Sequence, residues 1–117
     1  MPTWTYRHPP SDIAIILDVQ SDGQVKAEAR APGRPAVSVR WTVRAGPQGA
    51  LTFHLPQVHG SLVCIAACLG RTVGGALIDC LLDARDLSDI ETCLDRKAVG
   101  VLTDTAVCVQ RCLANAR

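Results

Sequence analysis

Hydrophobic residues recur every second position up to about Pro56, and at helical spacing after it. Ile13, Ile15, Leu17 and Val19 alternate along the stretch from Asp12, and Ser21-Asp22-Gly23 supplies a turn. Val25, Ala27, Ala29 and Ala31 then interleave strictly with Gln24, Lys26, Glu28 and Arg30. Beyond Pro32-Gly33-Arg34-Pro35, Val37, Val39, Trp41 and Val43 interleave with Ser38, Arg40, Thr42 and Arg44. A second turn at Gly46-Pro47-Gln48-Gly49 leads to Leu51, Phe53 and Leu55, separated by Thr52 and His54. The pattern predicts an antiparallel meander of about four strands, apolar on one face and wet on the other.

Ahead of the meander, Trp4 and Tyr6 stand two apart and would share one side of a strand. His8-Pro9-Pro10 predicts an extended link after them. The segment reads either as an edge strand packed on its own domain or as an aromatic arm that anchors on a partner chain.

Past Gly60, Leu62, Ala66, Leu69, Val73, Leu77, Cys80 and Leu81 follow helical spacing, with Ser61 as the candidate N-cap. Gly74-Gly75 weakens this helix by about 1 kcal/mol per glycine relative to alanine. It predicts either a break at Gly70 or Gly74, or close packing along the groove of Ala66, Gly70 and Gly74. Ser88-Asp89-Ile90-Glu91 has the form of a capping box, and Gly100 fits a helix stop after Arg96 and Lys97. A last helix is expected from about Thr103 to Ala114, with Leu102, Ala106, Val109 and Leu113 inward. The fold class is therefore α+β, with C-terminal helices covering one face of the sheet.

Composition sharpens the division. All four aromatics and all seven prolines lie at or before Pro56, and all six cysteines lie after it. The 117 residues suit one domain, with a sheet half over 1–56 and a helical half over 57–117. A net charge of +1 gives no support to bare nucleic acid or an acidic membrane as partner. The first residues lack a signal-peptide pattern, and Leu62–Leu69 is too short to span a bilayer, so a cytoplasmic protein is expected.

The wet face of the sheet gathers Lys26, Arg30, Arg40 and Arg44 against Glu28, a mild basic patch without stacked aromatics. Trp4, Tyr6, Arg30, Arg40 and Arg44 are thus the candidate residues for a protein partner or a second copy of the chain. Cys64-x3-Cys68 and Cys108-x3-Cys112 each place two thiols one helical turn apart. Across a helix pair these four thiolates suit zinc or an iron–sulfur cluster. The spacing also resembles that of small disulfide-linked helical hairpins of the mitochondrial intermembrane space, in the spacing alone, since a sheet half precedes it here. In an oxidising compartment they close as Cys64–Cys112 and Cys68–Cys108, with Cys80–Cys93 three residues off that register. The reading favoured on placement is buried free thiols, because cysteine packs as a small apolar side chain. His54, His59, Cys64 and Asp79 match no catalytic signature, and the glycine-rich run from Gly70 to Gly75 lacks the Lys-Ser/Thr of a phosphate loop. The expected function is a non-catalytic interaction or structural module without cofactor, a subunit of a larger assembly or a homo-oligomer. The alternatives are a thiol or metal module on the paired cysteines, then a small Cys–His enzyme.

Overall fold

In the computed structural model, which describes residues 2–115, the alternating half forms five strands. They are β1 (Thr3–His8), β2 (Ile13–Val19), β3 (Gln24–Arg30), β4 (Val37–Arg44) and β5 (Ala50–His54). They pair in chain order as one antiparallel meander. The strand beyond the expected four is β1, whose Trp4 and Tyr6 stand opposite Leu17 and Ile15 of β2. His8-Pro9-Pro10 opens a tight turn rather than an extended link. The His8 carbonyl accepts from the Asp12 N–H at 2.8 Å, and Asp12 itself takes a left-handed φ of 59°. Proline's fixed φ suits such a turn as well as it suits an extended chain.

Register places every inward residue in rows across the sheet. Trp4, Leu17, Ala27 and Val39 form one row, and Val19, Val25, Trp41 and Phe53 another. Alanines at the centre of β3 leave depth for two helices, and Trp41, 2% exposed, fills the side where the helix above offers glycine. At Gly23, φ is +88° and a Cβ would run into the Val43 carbonyl oxygen, so the β2–β3 turn requires glycine.

The helical half is two uninterrupted helices, α1 (Leu62–Leu82) and α2 (Leu87–Asn115), antiparallel on the same face of the sheet. The first lies over β3 to β5, the second over β1 and β2. At about 1.5 Å per residue α2 is ~43 Å long, close to the molecule's 46 Å long dimension. Neither Gly70 nor Gly74 breaks α1, and Gly100 does not end α2. Gly70 lies over the Phe53 ring, where an added Cβ would stand 3.3 Å from Cζ, and Gly74 faces the Trp41 indole at 3.5 Å. These two glycines accommodate aromatic rings of the sheet; Gly75 and Gly100 face open space.

The helix starts also differ from expectation. Ser61 has helical backbone angles and makes no side-chain cap. In α2 the cap is Asp86, whose Oδ1 accepts the Asp89 N–H at 3.0 Å, while the Asp89 carboxylate accepts the Arg85 N–H at 2.9 Å. Ser88 and Glu91, expected to form the capping box, lie inside α2, and Asp86 and Asp89, two residues earlier, supply the side-chain acceptors at its start. By length and composition α1 is apolar enough to cross a membrane; in this structure 44% of its most apolar window is buried against the sheet and α2.

Candidate functional site

Along the seam between α1 and α2 the side chains meet in layers. Cys64 bonds Cys112, Cys68 bonds Cys108, and at the turn end Cys80 bonds Cys93. All six cysteines are therefore disulfide-bonded, which corrects the expectation of buried free thiols. Apolar placement on helix faces does not distinguish a packed thiol from a bonded one; only the facing helix does. Between the cross-links, the Thr72 and Thr105 hydroxyls meet at 2.6 Å, one donating to the other, and Lys97 lies 3.9 Å from Asp79. Zinc or iron–sulfur ligation by Cys64, Cys68, Cys108 and Cys112 would require both of their bonds to be reduced first.

Two neighbouring disulfides are stacked at the open end of the hairpin. Side chains on a helix lean toward its N-terminus. In an antiparallel pair, Cys68 therefore leans toward the Cys64 level and Cys112 toward the Cys108 level, so the two meet. Their Sγ atoms stand 3.4 Å apart although they belong to different bonds. Both are buried, Cys68 at 1% and Cys112 at 7% exposure. Cys64 is exposed and Cys108 half-buried. Arg71 donates from Nη2 to Cys108 Sγ at 3.2 Å. Arg71 and Arg111 both border the cleft over the two bonds, and among the described residues neither pairs with a carboxylate.

A second feature lies where the sheet ends. β5 is an edge strand, and the apolar row leaves the core at its end. Phe53, on the helix side as expected, is still 39% exposed, and Leu55, just past the strand, is 83% exposed against an expected inward position. Phe53 rests on Trp41 with ring centroids 5.5 Å apart. Phe53, Leu55, Val58, Val63 and Ala67 line an apolar groove of about 410 Å³.

The residues expected to meet a partner divide between the two faces of the sheet. Trp4 and Tyr6 face the helices and are half-buried, and Trp4 Nε1 donates to Asp95 Oδ1 of α2 at 2.8 Å. They form the edge-strand arrangement, not a free arm. Arg30, Arg40 and Arg44 all remain exposed on the outer face. Arg30 and Lys26 both pair with Glu28, and Arg44 donates to the Gln48 carbonyl at 3.3 Å. Asp18 shares that face opposite Lys26, so the patch is more nearly neutral than the meander alone suggested. His54 is engaged with Thr42 Oγ1 at 2.8 Å, and Cys64 is bonded to Cys112, so Cys64 offers no free thiol to either of the histidines considered with it. Comparison of the chain with family models, with curated proteins and with solved structures yields no match.

Proposed function

We propose that this domain is a non-catalytic protein-interaction module whose helices are braced by disulfides. The observation that carries the reading is the exposed apolar groove of Phe53, Leu55 and Val63 beside the unpaired edge of β5. An open strand edge offers main-chain donors and acceptors to an added strand, and adjacent apolar side chains give that strand its anchors. Large apolar residues clustered at a strand edge are otherwise an aggregation liability, which a bound partner removes. The partner is a protein segment, from a second copy of the chain or another protein. The three cross-links support an oxidising compartment over the cytoplasmic location expected from the sequence.

The test is light scattering after size exclusion, paired with pull-down, on the wild type and on Leu55→Asp. Association that Leu55→Asp abolishes while circular dichroism stays native supports the reading. A strict monomer that captures nothing, or binding indifferent to the change, overturns it.

A further inference from the structure

The stacked disulfides hold a property that bracing alone does not require. Of their four sulfurs, one belongs to an exposed residue, two are buried in mutual contact across different bonds, and the fourth accepts from an arginine. We propose that they form a thiol-exchange site, which takes a small anionic monothiol at Cys64 and relays the displaced thiolate to Cys108.

The chemistry balances without an external oxidant. An incoming thiolate attacks Cys64 Sγ, the Cys64–Cys112 bond breaks, and a mixed disulfide forms on Cys64. Cys112 leaves with the electron pair as a thiolate. It is then buried, where an unpaired charge is costly, and in contact with Cys68 Sγ at 3.4 Å. Attack on Cys68 forms Cys68–Cys112, breaks Cys68–Cys108 and releases Cys108 as the thiolate. One thiolate is consumed and one produced. Cys108 is the favourable end of the relay, because it is half-buried and Arg71 donates to its sulfur at 3.2 Å. A neighbouring guanidinium stabilises a thiolate and makes it the better leaving group. The choice of an anionic thiol rests on Arg71 and Arg111 at the cleft, neither held by a carboxylate among the described residues.

Incubation of the native protein with glutathione, followed by acid quench, alkylation and non-reducing peptide mapping, tests the relay. The expected products are glutathione on Cys64, a Cys68–Cys112 link and the alkyl group on Cys108. An alkyl group on Cys112 with Cys68–Cys108 intact, glutathione on another cysteine, or no adduct overturns the proposal. Cys64→Ser frees Cys112 without any added thiol, and the same rearranged link is expected there. Arg71→Gln should move alkylation from Cys108 toward Cys112 several-fold. Glutathione should react several-fold faster than the cationic thiol cysteamine at equal thiolate concentration, and Arg111→Gln should narrow that ratio. A ratio insensitive to both arginines overturns the anionic preference.

Discussion

The two halves of this domain hold their shape by different means. In the sheet half, each strand carries its own instruction: an apolar row facing in, a polar row facing out, and turns at fixed glycines and prolines. In the helical half, local signals are weak or contrary, with Gly70, Gly74, Gly75 and Gly100 inside helices that nonetheless continue. Those helices are held by three covalent bonds to each other and by the aromatic rings beneath them. Glycine shows the contrast most directly. At Gly23 the backbone demands it, whereas at Gly75 and Gly100 nothing does.

This contrast can be broken experimentally. Reduction of all three disulfides has the largest expected effect, because closing a loop of about 40 residues alone contributes ~4 kcal/mol. Urea unfolding with and without dithiothreitol measures it; a midpoint indifferent to reductant would show that packing, not cross-linking, holds the helices. Trp41→Ala follows, at about 3–4 kcal/mol, since it empties the largest fully buried site, between β4 and Gly74. A loss below about 1 kcal/mol in the same titration would mean that α1 does not rest on that ring. Gly23→Ala is expected to cost about 2 kcal/mol, through left-handed strain and contact with the Val43 carbonyl. Gly75→Ala has the smallest effect and the opposite sign, a gain of about 0.5–1 kcal/mol from helix propensity. Equal responses at Gly23 and Gly75 in thermal melts would erase the distinction between the halves.

The sheet was legible because inward and outward positions alternate within single strands, and a slip of one residue would expose the whole apolar row. Even so, β1 was ambiguous. Two aromatics and a polar link do not reveal whether the segment pairs with β2 until Leu17 and Ile15 stand opposite them. Leu55 was misplaced inward because alternation continues past the last paired residue, while the pairing itself stops at His54. Of the thiol-exchange site, the two CxxxC spacings were visible, as was the pairing they take if oxidised. The contact between Cys68 and Cys112 was not, since it depends on which way side chains lean on helices that run in opposite directions. Arg71 beside Cys108 was equally hidden, because 37 residues separate them.

By itself, then, the sequence determined the α+β class, the strand faces and the division of the chain near Gln57–Gly60, all of which follow from spacing within a few residues. Tertiary structure decided what lies between distant segments: that the cysteines are bonded, that glycines over Phe53 and Trp41 leave the helices whole, and which apolar residues stay outside. Periodicity is a property of one segment, whereas a bond, a filled gap or an exposed edge needs a second segment to define it.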